Sequence, residues 1–245
     1  MISLFIPIFN EEGILERDIN EVLHLINKLP EKLEIFIVDD ASTDHSAQIS
    51  DRISTANKAV KHLRYDIGPT RRENLAQSFR HASGEIIAFM DIDLSTNLKY
   101  LEPLIDQVKK GYDIATGSRY VKGSRIKRSF FRLVVSMLYN NFIRFYFQTN
   151  LMDHECGFKA FKRDVILRLV DEMGYDKKLE RGVFWDTEML IRAERHNYKV
   201  IEIPIEWHEA NKSALNFKRE IKMIPYILKL KKKLKEENRP QHPVP

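Results

Sequence analysis

The chain has 245 residues, of which 43% are hydrophobic, and it carries a formal net charge of +5. This length and apolar content exclude an intrinsically disordered chain and allow one large domain or two small ones. A single cysteine, Cys156, excludes an internal disulfide framework and fits a reducing compartment. The N-terminal residues lack the basic region and cleavage site of a signal peptide, and no run of about 18 apolar residues predicts a transmembrane helix.

Strands and helices are predicted to alternate along the first 120 residues. The predicted strands are residues 2–8, 33–40, 60–66, 85–93 and 112–120, and the predicted helices are residues 12–28, 42–53, 71–82 and 97–110. Ser42 or Thr43 is the predicted N-cap of the second helix, and Asn97 is that of the fourth. This alternation predicts an α/β fold with a doubly wound, mostly parallel sheet.

Three of these strands end in acids or amides. Asn10 and Glu11 follow the first strand. Asp39 and Asp40 end the second strand, and Asp91 and Asp93 end the fourth, in the stretch IIAFMDIDLS. Ligands of doubly wound sheets bind outside the carboxyl ends of the strands, so one binding edge is predicted. For a lone pair of acids the alternative is a helix cap. No glycine-rich phosphate loop follows the first strand, so a metal ion would have to neutralise a bound diphosphate.

The pattern changes after residue 120. Residues 129–148 predict an aromatic-rich helix or helix pair, residues 184–197 predict a helix, and residues 199–209 predict a strand. The predicted organisation is a domain of residues 1–210, a basic amphipathic helical tail of residues 211–237 and a disordered end of residues 238–245.

Basic residues are concentrated in two places. One is the tail, and the other is a cluster formed by Lys122, Arg125, Lys127, Arg128 and Arg132. Such clusters indicate anionic partners, which include nucleic acid, phosphate ligands and an acidic membrane surface. The sequence has no RNA- or DNA-binding motif, so nucleic acid is not expected as a partner.

Several segments, taken together, resemble a known family. FIPIFNEEGIL, IFIVDDASTD, SGEIIAFMDIDLST, GSRYVKGS and ECGFKAFKRDV are similar, in this order, to segments of family 2 glycosyltransferases of the GT-A fold. The resemblance covers residues 1–210, and within the family it is strongest to polyprenyl-phosphate (dolichyl-phosphate) hexosyl synthases. The glucosyl branch is somewhat more similar than the mannosyl branch. The resemblance implies a Rossmann-like, mostly parallel sheet flanked by helices, followed by C-terminal interfacial helices.

The resemblance implies that Asp91 and Asp93 bind Mg²⁺ or Mn²⁺ against the donor diphosphate, with Asp93 as the direct ligand and Asp91 nearer the ribose. No arginine that would neutralise these acids is evident in the sequence around them. The mannosyl branch often carries Gln where this chain has Ser95. The nucleotide-binding positions implied by the resemblance are Pro7, Phe9, Asn10, Glu11, Asp39 and Asp40, together with Asp91. These acids fit either uracil or guanine, and a turn with an Asx cap is the alternative for Asp39 and Asp40.

The acceptor implied by the resemblance is a polyprenyl phosphate. Its phosphate monoester is already ionised at neutral pH, so it needs positioning cations and no general base. Arg119, Arg132 and Ser136 match the family's acceptor-phosphate positions, although a solvated helix face is the alternative for Arg132. Asp186 is expected to bind sugar hydroxyls, with a surface helix acid as the alternative. Asp93, Arg119, Arg132 and Asp186 are thus the expected catalytic set.

Two further features invite other interpretations. Arg71 and Arg72 stand where small residues are common in the family, and they indicate either an additional phosphate or base contact or an exposed basic loop. His154, Cys156 and His208 have no standard zinc-site spacing, so Cys156 is expected to be a small packing residue.

The function expected from the resemblance is inverting transfer of a hexose from a nucleotide sugar to a polyprenyl or dolichyl phosphate, in protein glycosylation. UDP-glucose is the favoured donor and GDP-mannose the next. Residues 130–147 and 217–234 resemble interfacial helices, which predicts a peripheral enzyme on the cytoplasmic face of a membrane, with or without a membrane-embedded protein partner. Packing of both helices on the enzyme's own core is the alternative. The rival functions are transfer to a sugar hydroxyl and a non-catalytic subunit.

Overall fold

A computed structural model of the chain describes residues 1–209 and 217–237. Nine strands are described: β1 (Ile2–Ile8), β2 (Leu33–Asp40), β3 (Val60–Tyr65), β4 (Ile86–Met90), β5 (Ile114–Ser118), β6 (Arg125–Lys127), β7 (Phe158–Lys162), β8 (Val200–Pro204) and β9 (Glu206–His208). The α-helices described are α1 (Leu15–Ile26), α2 (Ser46–Ala56), α3 (Glu73–Ser78), α4 (Leu101–Lys109), α5 (Phe130–Phe147), α6 (Arg163–Met173), α7 (Trp185–Arg195) and α8 (Phe217–Glu237). Short 3₁₀ helices span Phe79–His81, Leu98–Tyr100 and Gly182–Phe184.

Seven strands form one sheet in the order β3-β2-β1-β4-β7-β5-β8. β7 runs antiparallel to both of its neighbours, whereas the other pairs are parallel. The predicted α/β fold with a mostly parallel sheet is therefore confirmed. The antiparallel β7, which no sequence pattern had indicated, separates β4 from β5. β6 and β9 form a second, two-stranded sheet beside the main one.

Helices cover both faces of the main sheet. Side chains of β1 alternate between the faces, so that Leu4 and Ile6 pack in one apolar cluster and Phe5 in the other. The cluster that contains Leu4 takes in side chains of α1 and α4, and the opposite cluster takes in side chains of α3, α6 and α7. The sheet is thus buried on both sides, which leaves the ends of its strands as the place for polar groups.

A third apolar cluster joins α8 to the rest of the chain. From α8 it includes Met223, Ile227, Leu230 and Leu234, which pack with side chains of α5 and α7. Pro225 lies inside α8 without dividing it. The predicted boundary at residue 210 and the predicted disordered end lie outside the described residues. In the part of the chain that the structure covers, no helix is long and apolar enough to cross a membrane.

Of the two predicted helix caps, one is confirmed and the other is wrong. Asn97 accepts a hydrogen bond from the backbone N–H of Lys99 at 3.0 Å and so caps the 3₁₀ helix Leu98–Tyr100, which leads directly into α4. α2 begins at Ser46, so neither Ser42 nor Thr43 caps it. Both residues instead belong to a turn bound to the segment after β1, where Ser42 Oγ accepts from the N–H of Asn10 at 3.0 Å.

Candidate active site

A cleft of about 380 Å³ opens at the carboxyl edge of the sheet. Its volume lies within the range of about 300–1,000 Å³ that is usual for small-molecule sites. The three acid-bearing strand ends meet here as predicted. The lining residues are Pro7, Ile8, Phe9, Glu11, Asp40, Pro69, Arg71, Arg72, Asp91, Ile92, Asp93, Arg119, Glu155, Val183 and Asp186.

Asp91 and Asp93 follow β4, and each carboxylate is already partly engaged. Asp91 Oδ1 lies 2.9 Å from Nη2 of Arg72. Asp93 accepts hydrogen bonds from both the backbone N–H and the hydroxyl of Ser95, at 3.0 and 2.8 Å. Ser95 therefore orients Asp93. The expectation that no arginine neutralises these acids is wrong for Asp91, because Arg72 comes from the loop before α3.

Gly157 fixes the other side of Asp91. A Cβ atom at this position would lie 1.8 Å from Asp91 Oδ2, which is far inside van der Waals contact. The backbone of Gly157 also accepts a hydrogen bond from the N–H of Asp91 at 3.1 Å. Only a residue without a side chain leaves room for this carboxylate, which accounts for the glycine of the CGF segment.

Glu11 reveals the negative potential of this part of the cleft. Burial raises its pKa to about 7, and the carboxylates of Asp93, Asp44, Asp18 and Asp91 raise it in the same direction. The pKa of Asp91 is also raised, by burial first and by Asp93 and Asp186, against the opposing effect of Arg72. A cation bound between these acids would relieve their repulsion.

The donor set fits a hard divalent cation that takes most of its ligands from outside the protein. Within the described residues, no group of three His, Cys, Asp or Glu side chains forms a complete metal cage. Asp93 keeps lone pairs beyond its two bonds to Ser95. Mg²⁺ is bound in proteins in this manner, by one or two carboxylates together with waters and phosphate oxygens.

Asp186, at the start of α7, is buried between two cations. Its Oδ1 lies 2.9 Å from Nζ of Lys159, and its Oδ2 lies 2.9 Å from Nε of Arg72. Burial alone would raise the pKa of Asp186, but Lys159 and Arg72 together hold it below its usual value. The alternative of a surface helix acid is therefore wrong. The alternative of an exposed basic loop is wrong for Arg72, whose side chain is only 15% exposed.

The two acids at the end of β2 have different surroundings. Both oxygens of Asp40 are saturated, because they accept from the N–H and hydroxyl of Thr70, the N–H of Arg71 and the amide of Asn74. Asp39 is buried outside the cleft lining and accepts from the N–H of Ser42, three residues further on, at 2.8 Å, which is the turn with an Asx cap given as the alternative.

Of the remaining residues predicted to bind the nucleotide, some line the cleft and one does not. Pro7 and Phe9 line the cleft. Asn10 does not, because its side-chain oxygen accepts from the N–H of Thr43 at 2.8 Å and so ties the first strand end to the turn before α2. Asn10 and Asp39 thus fix the turn before α2 beside the cleft and do not line the cleft themselves.

Arg119, at the end of β5, lines the cleft but is already paired. Its Nε donates to Oδ2 of Asp153 and its Nη2 donates to Oδ1, both at 2.7 Å, which makes the contact bidentate. The Arg119 guanidinium also lies 5.8 Å from the ring centre of Trp207. The buried pair fixes this guanidinium at the boundary between the cleft and the region around α5.

The other predicted acceptor residues gather around the start of α5. Arg132 forms an ion pair with Glu209. Ser136 Oγ accepts from the hydroxyl of Tyr120 at 2.7 Å and from Nη1 of Arg128 at 3.3 Å. With a side chain only 16% exposed, Arg132 does not lie on a solvated helix face, so that alternative is wrong.

Sequence reasoning missed three contributors to this region. Trp207 lies beneath Arg128 as well as Arg119, with its ring centre 5.2 Å from the Arg128 guanidinium. Glu209 has no predicted role, and Arg128 is predicted only as one member of a basic cluster. An aromatic and an acid directly after an apolar strand, in the stretch IPIEWHE, were the signal available in the sequence.

α5 presents a continuous apolar face to solvent. Phe130 is 81% exposed and Phe145 is 87% exposed, and the other exposed members are Phe131, Val134, Met137, Leu138 and Phe142. On another face of the same helix, Ile143 and Phe147 are buried in the third cluster. The packing alternative therefore holds for one face of this helix, and the interfacial role of its exposed apolar face stays a prediction. α8 is divided in the same way, with Ile224 and Leu228 exposed; Phe217 and Ile221 lie outside the described side chains.

Cys156 and His154 are buried packing residues. Cys156 belongs to an apolar cluster, and burial raises the pKa of its thiol to about 12. His154 lies 2.7 Å from the hydroxyl of Thr149 through Nε2 and 3.1 Å from the amide oxygen of Asn140 through Nδ1. The expected packing role of Cys156 is confirmed.

The fold is that of the GT-A glycosyltransferases. The mannosyltransferase PcManGT from Pyrobaculum calidifontis, in complex with GDP-Man and Mn²⁺, superposes with a TM-score of 0.63 at 17% identity, covering 99% of this chain and 65% of that one. Glucosyl-3-phosphoglycerate synthase from Mycobacterium tuberculosis, in complex with Mn²⁺, UDP and glucosyl-3-phosphoglycerate, gives a TM-score of 0.65 at 16% identity, with coverages of 94% and 79%.

The sequence model of glycosyl transferase family 2 matches residues 3–170. The chain belongs to this family, which confirms the resemblance found in the sequence. A dolichyl-phosphate beta-glucosyltransferase of Saccharomyces cerevisiae is 29% identical, over 87% of this chain and 69% of its own. A polyprenol monophosphomannose synthase of Mycolicibacterium smegmatis is 28% identical, over 84% and 77%.

One relative is considerably longer than this chain. Glycosyltransferase AglD of Haloferax volcanii is 32% identical over 223 residues, which are 90% of this chain but 35% of that protein. This chain thus spans about a third of the length of that relative.

Proposed function

We propose that this chain transfers a hexose from a nucleotide sugar to a polyprenyl or dolichyl phosphate at a membrane surface, with inversion at the anomeric carbon. UDP-glucose is the favoured donor and GDP-mannose the next. The names of the Saccharomyces and Mycolicibacterium relatives support the acceptor class. The donor preference rests on the stronger resemblance to the glucosyl branch.

The observation that carries this proposal is the junction of a cationic cluster with an exposed apolar helix face. Arg128, Arg132 and Ser136 lie at the start of α5, and the apolar face of α5 begins at Phe130. A polyprenyl phosphate has the matching form, because it joins an anionic head directly to a long apolar chain. A sugar hydroxyl acceptor would require neither feature.

The surroundings of Asp186 support an acceptor that needs no base. Hydroxyl-accepting relatives are expected to carry their base in this region, but here both carboxylate oxygens are held by cations, Lys159 and Arg72. The lowered pKa of Asp186 makes it a poor proton acceptor. A phosphate monoester is already an anion and can attack without losing a proton. Fixed in the cleft, Asp186 and Arg72 would present hydrogen-bonding groups to the sugar.

In the reaction, an acceptor phosphate oxygen forms a bond to the anomeric carbon while the bond from that carbon to the nucleoside diphosphate breaks. Asp93 and Asp91 would hold Mg²⁺ or Mn²⁺ beside the departing diphosphate. The ion supplies charge neutralisation for that leaving group. The protein holds both substrates in line, with Pro7 and Phe9 lining the donor end of the cleft and Arg119 standing at the acceptor end.

A donor screen tests this function. The purified chain would be incubated with polyprenyl phosphate, Mg²⁺ or Mn²⁺, and a panel of UDP- and GDP-sugars, and the lipid-linked sugar would be measured. UDP-glucose is expected to give the most product. Product from GDP-mannose alone would reverse the donor assignment, and transfer to a free sugar hydroxyl with no lipid-linked product would favour the rival family 2 activity.

A further inference from the structure

Glu209 places a carboxylate at the point where two arginines of the acceptor region converge. Arg132 pairs directly with Glu209, and Nε of Arg128 lies 3.6 Å from the same oxygen, Glu209 Oε1. The side chain of Arg132 is only 16% exposed, that of Arg128 17% and that of Glu209 20%. Water therefore screens the contact poorly. The protein's own structure therefore has an oxyanion bound at this position.

That carboxylate does not satisfy Arg128. The Nε–H of Arg128 is buried and has no hydrogen-bond partner within the described part of the chain, since 3.6 Å to Glu209 is too long. A buried donor without an acceptor is destabilising, so an anion that reaches it would be favoured.

A phosphate monoester suits these surroundings better than a carboxylate does. It carries about −1.5 to −2 charges at neutral pH and three acceptor oxygens, so it could bond to both guanidinium groups at once. Arginine forks bind carboxylate and phosphate with the same bidentate geometry, so the two anions compete for one position. Ser136 and Tyr120 hold Arg128 in place from the other side, through the 3.3 Å contact of its Nη1 with Ser136 Oγ.

We propose that Glu209 is a built-in competitor that occupies the acceptor-phosphate position, and that Arg128 binds the acceptor phosphate with Arg132 once Glu209 is displaced. This inference rests on the proposed function. It assigns a ligand role to Arg128 and a specificity role to Glu209: a weak or singly charged anion cannot displace the carboxylate, whereas a phosphate monoester attached to a membrane-bound chain can.

The test compares Glu209→Gln with Glu206→Gln as the matched control. Glu206 lies in the same segment but pairs with Lys99 at 2.7 Å, away from the two arginines. Binding of a short-chain prenyl monophosphate would be measured by calorimetry without donor, and KM for the same compound would be measured with donor. Glu209→Gln should bind it roughly three- to tenfold more tightly, as expected for loss of one competing charged contact. Donor KM should not change, and Glu206→Gln should behave as wild type.

Arg128→Met is the complementary variant. It should weaken prenyl monophosphate binding by roughly tenfold or more, as loss of a charge-assisted phosphate contact does, while nucleotide binding stays unchanged. Thermal melting of each variant would identify any loss of folding, and Arg128→Lys should recover part of the affinity. Unchanged or weaker binding in a folded Glu209→Gln variant would overturn the inference, because Glu209 would then organise the arginines instead of competing with the ligand.

The proposed function and this inference fail in different ways. If the wild-type chain transfers no sugar to polyprenyl phosphate, the proposed function is wrong. If it does so and Glu209→Gln has wild-type affinity for prenyl monophosphate, only the inference is wrong.

Discussion

At the scale of single residues, the site is defined by ion pairs that join distant parts of the chain. Arg72 reaches Asp186, 114 residues further on, and Arg132 reaches Glu209, 77 residues further on. The sequence identified most of the charged residues around the site because strand ends and family motifs mark them. It could not identify their partners, because no local pattern records which residues the fold brings together. Asp91 illustrates this, since its partner Arg72 lies in a loop for which the sequence leaves two interpretations open, a ligand contact or an exposed basic loop.

Asp93 is predicted to be the principal protein ligand for the metal ion. Asp93→Ala should lower turnover by at least ~10²-fold, because stabilisation of the leaving diphosphate worth a few kcal/mol is lost. The measurement is the rate of lipid-linked sugar formation at saturating Mg²⁺. Full wild-type activity in EDTA would contradict a metal role for this residue.

Gly157→Ala tests whether the position of Asp91 matters. The added methyl group would overlap Asp91 Oδ2 and push the carboxylate away from Arg72, so we expect transfer to fall by roughly tenfold or more. Gly13→Ala is the matched control, because a Cβ there meets nothing within 4 Å. Wild-type transfer rates for Gly157→Ala would mean that Asp91 does not need this placement.

Glu11 is predicted to make stability depend on pH in the absence of metal. Its pKa is about 7 in the folded chain and 4.5 as a free side chain, so the folded state favours the protonated form. The stability that this group contributes is fully present below pH 4.5 and is lost as the pH rises through about 7. In EDTA, Glu11→Gln should therefore melt at a higher temperature than wild type at pH 8, and the difference should shrink at pH 5. A constant difference across this range would contradict the raised pKa.

At the scale of secondary structure, periodicity predicted strands well where both faces are apolar. β1 and β2 have the predicted bounds, and Asn97 caps its helix as predicted. β7 was missed because its sequence, FKAFK, contains lysines that argue against a central strand. Lys159 can be buried there because Asp186, from α7, neutralises it and the carbonyl of Cys156 accepts a hydrogen bond from it. The cap of α2 was misassigned because Ser42 and Thr43 serve a contact with Asn10 that lies outside the helix.

The exposed face of α5 is predicted to contact the membrane. Replacing Phe130 and Phe145 by Ser should weaken co-sedimentation with anionic vesicles, since two large apolar side chains would no longer be buried in the interface. Binding should also weaken as salt is raised. Ile67→Ser is the control, because Ile67 is 74% exposed but lies in the loop after β3. Equal losses in both variants would contradict a specific role for α5, and no wild-type binding at low salt would favour a separate membrane-embedded partner as the anchor.

At the scale of the whole molecule, the cleft that holds the strand-end acids adjoins a second group of arginines at the start of α5. Glu11, Asp91 and Asp93 lie at the sheet edge, whereas Arg128 and Arg132 lie at the start of α5. Arg119 connects the two, because it lines the cleft and shares Trp207 with Arg128. This arrangement suits a metal-bound diphosphate in the cleft and an anionic, lipid-linked nucleophile beside Arg128 and Arg132. The division of the chain at residue 210 stays a prediction, although α8 packs on α5 and α7.

The most direct test of this account is the choice of acceptor. Purified chain, nucleotide sugar and Mg²⁺ would be supplied with polyprenyl phosphate, with the corresponding polyprenol or with a free sugar, and each glycosylated product would be measured. Because Asp186 is held by Arg72 and Lys159 and cannot serve as a base, the account predicts transfer to polyprenyl phosphate and none above background to either hydroxyl acceptor. Transfer to polyprenol or to the free sugar at a rate equal to that with polyprenyl phosphate would contradict it.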